Sequence, residues 1–536
     1  MVERRKGRSK GGRVARQRNL SGLIFGGVMG LVLMIGIIVL LTYMFNSSGL
    51  KGVKFSEESG FYGDNISIEI TPDGMLLVRP IEVRYNLNGD DLLGTSMVVD
   101  GRIELEAPES GYRVYTITAM ACKNDDECTL PQVKNYVLGK NIDEDVTIDI
   151  VNINSPQRGL YDYDMGIMVG GRSYDLNSTV EGNGYVGGNY NNRGKEWARE
   201  AYVTMFDVNR RLVWDQSAYL EISGGTSASY DVKSMKISLM VDGENGEELK
   251  TFRLRSGSQD QFASNIRSSV VSRLAEESGF DGGTSTQRVV VFLNGEYYGI
   301  FDMQENFSER NLARKFGLTK EKDVEKSKGS EVTVFERFKL DDEMWKDLDI
   351  PENRERLEKV VDMDSYLEYY AIQILLNNTD WPMNNYEAWR YGGVSKTSNE
   401  YEDGKIRFLI YDTDLIYYID GGIEWFEGAI GDIFRFLMEG QYNGVGSHFA
   451  TVMESDYYRV KFIELLRELV GGPFATENVL KIIDEEAAKI EHQAELFYSA
   501  EEYAKWAEGV ELMRKAAALR EDEIRVDVME YFGEEL

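Results

Sequence analysis

The spacing of apolar positions divides the chain into segments of different period. Leu20 to Phe45 (LSGLIFGGVMGLVLMIGIIVLLTYMF) is apolar throughout and carries no charge. A run of this length predicts a helix that spans a bilayer. A short polar linker, Asn46 to Lys51, follows. From Gly52 the pattern becomes short alternating runs, among them Asn65–Ile70, Ile81–Tyr85 and Tyr112–Ala119, separated by turn residues. Period-two alternation with frequent turns predicts a small all-β sandwich over residues 52–142. A longer mixed region then begins. Ala201–Phe206, Tyr219–Ser223 and Ser234–Leu239 read as strands, and Phe262–Glu277 reads as a helix with Ile266, Val270, Val271 and Leu274 on one face. Val289–Leu293 and Tyr297–Phe301 flank Asn294-Gly295, a hairpin signal. A buried helix is predicted over Asp364–Asn377, then strands over Tyr386–Tyr391 and Ile406–Tyr411. From Ser455 to Tyr531 the period is helical, with a break at Gly471-Gly472-Pro473.

Charge changes the picture at the N-terminus. Arg4, Arg5, Lys6, Arg8, Lys10, Arg13, Arg16 and Arg18 stand against one acid, Glu3, just before the apolar run. A signal peptide has a shorter apolar core and a small-residue cleavage site, which Thr42-Tyr43-Met44-Phe45 does not offer. Basic residues ahead of a span predict a cytoplasmic tail over residues 1–19, a transmembrane helix over 20–45 and an extracytoplasmic body. The chain's net charge is -31, and since the tail is basic the body is more acidic still. Such a body repels nucleic acid and argues against nucleic-acid binding.

The cysteines are Cys122 and Cys128, in a polar loop. Outside the cytoplasm a disulfide between them is the expectation, with two free thiols as the alternative. The histidines are His448 and His492, too few for histidine-based metal or acid–base chemistry.

Candidate chemistry lies in Asp380-Trp381-Pro382-Met383-Asn384-Asn385 and Tyr411-Asp412-Thr413-Asp414. Asp380 and Asn385 have the D-x-x-x-x-N spacing of a protein-kinase catalytic loop, where the Asp accepts the proton of the attacking hydroxyl and the Asn holds a metal ion. Asp412 and Asp414 follow an apolar strand-like run, where a carboxylate can hold the metal that bridges ATP phosphates. In an extended chain two acids flanking one residue point to the same side. The bland alternatives are a turn for Asp-Trp-Pro and an acidic strand end for Asp412 and Asp414. Lys233 and Lys236, beside a Gly-rich turn, are candidates to neutralise phosphate, or are solvated lysines. Glu305 follows the hairpin where a kinase hinge would lie, or forms a surface salt bridge. Asp260 and Arg267 have a structural ion pair as their alternative.

The order of these blocks resembles the CotH kinase family over roughly residues 148–531. Asn189–Ala201 (NYNNRGKEWAREA) resembles the family's entry block. Phe252–Asp260 (FRLRSGSQD) with Arg267 resembles its "RLR.GG.D....R" block. Val291–Glu305 (VFLNGEYYGIFDMQE) resembles "LNGEY.G.Y...E". The turn Ile222–Ala228 departs from the family pattern, because the arginines usual there are absent while Lys233-Ser234 is retained. The preceding stretch, through Phe55-Ser56, Gly60-Phe61-Tyr62 and Ile81–Gly89, resembles the chitobiase C-terminal-like, or fibronectin type III-associated, domain.

These resemblances imply an α+β, two-lobed protein-kinase-like domain behind a β-sandwich and a membrane span. They imply ATP and Mg as cofactors and phosphoryl transfer to Ser/Thr of a surface protein. Asp380, Asn385 and Asp412 would be catalytic, and Asn385, Asp412 and Asp414 would hold metal. Lys233, Lys236, Glu305, Arg255 and Arg267 would bind the nucleotide. A non-catalytic envelope scaffold on the same fold is the alternative, and another phosphoryl- or nucleotidyl-group transferase is a third.

Overall fold

The computed structural model describes residues 51–74, 81–89, 97–98, 101–124, 127–178, 187–240, 250–395, 398–417, 432–439 and 447–536. The basic tail and the Leu20–Phe45 run lie outside them. Among the described residues, no helix is long and apolar enough to cross a membrane.

The alternating segments after Gly52 form two sheets. One holds β1 (Gly52–Phe55), β3 (Ile66–Asp73) and β6 (Arg102–Leu105). The other runs β2 (Gly60–Tyr62), β9 (Gln132–Leu138), β7 (Arg113–Asn124), β4 (Glu82–Leu87) and β5 (Met97–Val98), with β8 (Glu127–Cys128) paired to β7. Period-two burial closes the sandwich: Ile68, Ile70 and Ile103 of the first sheet share a core with Ile117, Ala119 and Tyr136 of the second. Cys122 and Cys128 are joined by a disulfide between β7 and β8.

The next strands close on themselves. β10 (Asp149–Asn154), β11 (Arg199–Phe206), β12 (Leu212–Ile222), β13 (Met235–Leu239), β14 (Lys250–Arg255), β16 (Glu296–Gln304) and β15 (Thr286–Leu293) follow one another around a barrel, which β10 closes by lying parallel to β15. Closure was not evident from the sequence, because the β10–β15 pairing spans well over a hundred positions. The interior is filled by Val151, Val203, Leu220, Ile237, Phe252, Leu254 and Val291. The hairpin between β15 and β16 turns where expected, with Asn294 at φ 51° and Gly295 at φ 80°. Two positive φ angles match the twist of a two-residue hairpin.

The predicted helix over Phe262–Glu277 begins later, at Arg267. Residues Ser258–Phe262 form a separate 3-10 turn, and Asn265 adopts φ 52°, which interrupts any continuous helix. Helix Met363–Leu375 is buried almost all round. Its Tyr366, Tyr369 and Tyr370 pack with Trp381, Tyr386 and Phe408 in one aromatic cluster. Behind it, β17 (Val324–Gly329), β18 (Tyr386–Tyr391) and β19 (Arg407–Leu409) form a small sheet. The strand expected over Ile406–Tyr411 thus stops at Leu409. The helical C-terminal pattern resolves into Asp456–Val470, Thr476–Phe497 and Ala500–Phe532. Ser499 and Glu502 form a capping box at the start of the last.

The sandwich is seated on both the barrel and the C-terminal helices. The ring of Tyr112 lies against Phe292 and Phe497, and its hydroxyl donates to Gln493 at 2.8 Å. A polar seam joins it to the barrel: Asn135 Nδ2 donates to Thr204 at 2.8 Å, and Asn152 Nδ2 donates to Thr116 at 2.7 Å.

Candidate active site

The Asp380 loop follows the buried Met363–Leu375 helix and is held by its aromatic floor. Trp381 is fully buried and donates its indole N–H to the Tyr369 hydroxyl at 2.8 Å. The carbonyl of Pro382, which follows a cis peptide, accepts the backbone N–H of Glu331 at 3.1 Å. Above this floor the polar side chains converge on one carboxylate. Asn384 donates to Asp380 Oδ1 at 3.0 Å, and Asn385 donates to Oδ2 at 2.6 Å. Asn385 sits at φ 56°, a conformation Asn tolerates better than most residues. Its amide nitrogen is committed to Asp380, so its amide oxygen is the donor it can offer a cation. Burial pushes the Asp380 carboxyl up from the ordinary range, and the negative charge of Asp412 adds to the rise.

Asp412 and Asp414 reach the same place by a different route from the one the spacing suggested. Asp412 is not extended, since its φ is 57°. The two carboxyls nonetheless meet in a hydrogen bond. From the barrel, Arg255 donates Nη2 to Asp412 Oδ1 at 2.6 Å, and the backbone N–H of Gln259 donates to Asp414 Oδ2 at 3.0 Å. Burial would raise Asp412, but the cationic Arg255 and Arg253 outweigh it and hold that carboxyl below its ordinary value. At Asp414 the pull of Arg255 is outweighed. Burial, then the charge of Asp412, pushes it up to about 7. Two carboxylates sharing one proton mark a surplus of negative charge, which a cation would offset. A cleft beside them is lined by Arg255, Ser272, Thr284, Gln304, Tyr411 and Asp412.

The other candidates are placed as follows. Lys233 is buried, donates to the Tyr230 carbonyl and lies 4.7 Å from the Tyr190 ring centre. Lys236 projects from β13 and donates to Glu221 at 2.7 Å. Glu305 is exposed and paired with Arg314. Arg267 is buried against Asp260, and its Nε donates to the Ile416 carbonyl at 2.9 Å. The structure therefore brings Asp380, Asn385, Arg255, Asp412 and Asp414 together. Lys233, Glu305 and Arg267 are engaged with other partners.

One residue beside the cleft, across from its Gln304 and near its Tyr411, has no role assigned from the sequence. Arg253 stands two residues before Arg255 on β14, and strand alternation puts both on the face opposite the buried Phe252 and Leu254. That alternation was the available signal.

The donor set suits a hard cation. Asp412, Asp414 and the Asn385 amide supply oxygen only, which Mg²⁺ prefers, and Mg²⁺ draws its remaining ligands from water and phosphate. Among the described residues, no group of three or more His, Cys, Asp or Glu forms a complete metal cage.

No curated protein sequence matches the chain. Among solved structures it is similar to a Helicobacter pylori proinflammatory kinase, CtkA, at 12% identity, covering 55% of this chain and 93% of that one, with a TM-score of 0.28. The pattern of the family described as CotH kinase protein matches residues 220–524, which takes in β13 to β19, the Asp380 loop and both acids beyond it. With more than half of its length so matched, the chain belongs to the CotH kinase family.

Proposed function

We propose that the protein is a membrane-anchored atypical kinase that transfers the γ-phosphoryl group of ATP to a Ser or Thr hydroxyl of a surface protein. The observation that carries this reading is the meeting of Asp380–Asn385, from the helical body, with Arg255–Asp412–Asp414, at the edge of the barrel. A general base and a paired acidic site face each other, as phosphoryl transfer requires. In the step, the substrate hydroxyl oxygen bonds to the γ-phosphorus as the bond from that phosphorus to the β,γ-bridging oxygen breaks. ADP leaves with the electron pair, and Asp380 takes the hydroxyl proton. The raised affinity of Asp380 for a proton suits it to that role. Asn384 and Asn385 orient its carboxylate. Mg²⁺, when bound by Asp412, Asp414 and Asn385, supplies charge neutralisation for the phosphates. Arg255 fixes the Asp412 carboxylate in place.

The Leu20–Phe45 run and the basic tail support a single-pass anchor with the body outside the cytoplasm. The Cys122–Cys128 disulfide suits such an oxidising compartment. The sandwich would serve as an accessory module.

A second reading, a non-catalytic surface scaffold, is favoured by the turn Ser223–Ala228, which offers no cationic side chain. Incubation with labelled ATP and Mg²⁺ or Mn²⁺ separates the two. The kinase reading expects label in protein as phosphate. It also expects Asp380→Asn to keep ATP binding while transfer falls about 10²- to 10⁴-fold. Asp412→Ala should lose Mg²⁺-dependent binding and transfer together. Wild-type protein that neither binds Mg·ATP nor becomes labelled would leave the scaffold as the better account.

A further inference from the structure

The outer face of the barrel carries a row of polar side chains directly opposite one another across five strands: Glu221, Lys236, Arg253, Gln304 and Thr286. Side chains paired in this way lie on the same face and within reach of each other. Most of the row is internally satisfied. Lys236 is neutralised by Glu221 at 2.7 Å, and Gln304 donates to Thr286 at 2.9 Å. Next to the row, Arg255 is neutralised by Asp412 at 2.6 Å.

Arg253 is the exception. Among the described residues its side chain makes no ion pair and no hydrogen bond, and its Nε is buried without an acceptor. Glu387 of β18, which acts on it electrostatically, is held by Lys326 at 2.7 Å. Its other charged neighbours are Asp412, already taken by Arg255, and Arg255 itself. Burial and the like charge of Arg255 both work against its cationic form. A largely buried guanidinium beside Arg255, with acids near it but none bonded to it, weighs on the ligand-free fold. It faces the space between the barrel and the Asp380–Asp412 cluster, since Tyr411 lies close to Glu387, Asp412, Arg253 and Asp380 together.

We infer that Arg253 is an anion receptor for the phosphate tail of the nucleotide, its fork completed only when a phosphate group enters the cleft. The inference rests on the kinase reading above and adds to it a residue on the barrel side. A guanidinium suits this task because its planar donors match two phosphate oxygens at once, which a lysine ammonium cannot do. It also accounts for the Ser223–Ala228 turn: with a cation supplied by β14, the Gly-rich turn needs none.

The test is thermal unfolding of the full-length protein, wild type, Arg253→Gln and Arg253→Lys. Each is titrated with Mg·ATP, Mg·tripolyphosphate and adenosine. For the wild type, Mg·ATP and Mg·tripolyphosphate should raise the midpoint. Arg253→Gln should weaken both by at least tenfold and leave any response to adenosine unchanged, with Arg253→Lys in between. Ligand-free Arg253→Gln should melt no lower than wild type, because the residue has no partner to lose. Equal Mg·ATP stabilisation of wild type and Arg253→Gln would overturn the inference while leaving the kinase reading intact. A ligand-free midpoint several degrees lower in Arg253→Gln would overturn it in favour of a structural role. No response of the wild type to Mg·ATP would instead overturn the kinase reading, and this inference with it.

Discussion

Removal of Asp260 should damage the fold severely, and the reason can be worked through contact by contact. Its side chain is almost wholly buried at 2% exposure, and that of its ion-pair partner Arg267 is 6% exposed. The carboxylate accepts the backbone N–H of Ser264 at 3.1 Å, the Ser264 hydroxyl at 2.8 Å and the backbone N–H of Arg267 at 2.9 Å, besides the guanidinium. Arg267 in turn donates to the Ile416 carbonyl, two residues beyond Asp414. Asp260→Ala strands a buried cation and two backbone donors. Breaking a buried pair from one side costs about 3–5 kcal/mol. Replacing both partners, Asp260→Ala with Arg267→Met, removes the stranded charge and should recover more than half of that loss. Guanidinium chloride unfolding followed by tryptophan fluorescence measures both, since Trp345, Trp381 and Trp389 are buried in the same body. A loss below about 1 kcal/mol for Asp260→Ala, or a double variant as unstable as the two single losses added, would refute the reasoning. The double variant also decides the role of Arg267. If it holds the fold, restored stability brings restored nucleotide binding. If it touches nucleotide, binding stays lost.

Three further outcomes are expected. Asp414 holds its proton to about pH 7 in the folded state, against about 4 when unfolded. Its contribution to stability is therefore fully present below pH 4 and is lost as pH rises through 7; Asp414→Asn should flatten that part of the stability–pH profile. Reduction of Cys122–Cys128 should loosen the sandwich by about 2 kcal/mol, the chain-entropy value for so small a loop, and leave Mg·ATP affinity within twofold. Tyr370→Phe removes a 2.5 Å hydrogen bond to Glu331, a wholly buried carboxylate whose backbone N–H anchors the Pro382 carbonyl. It should cost roughly 1.5–3 kcal/mol, read as a lower midpoint on heating.

What the sequence made legible is what local chemistry decides. The Asn294-Gly295 hairpin, the helix break at Gly471-Gly472-Pro473 and the period-two strands of the sandwich appear in the structure because turn residues and alternation act over a few positions. The meeting of Asp380 with Asn385 is of the same kind: five residues apart, they close one loop. Features that needed contacts between distant segments were not legible. The parallel pairing of Asp149–Ile153 with Val289–Leu293 closes the barrel, and no local pattern announces it. The positive φ of Asp412 is likewise imposed by its surroundings, with Arg255 of β14 holding the carboxylate.

Charge pairing explains why the binding residues were harder to place than the acids. A lysine or arginine looks the same in sequence whether it faces ligand or a neighbouring acid. Lys236 and Arg253 are direct cross-strand neighbours on one barrel face, yet Glu221 takes up the first and nothing takes up the second. The distinction depends on what stands one strand away, on segments far apart in the chain. A body as acidic as this one has carboxylates to spare for its cations. The proposed anion site rests on a buried arginine that no acid bonds, next to the Asp412–Asp414 pair. On the proposed reading, an anion-binding arginine beside a cation-binding acid pair would favour a metal-bound polyphosphate over either ion alone.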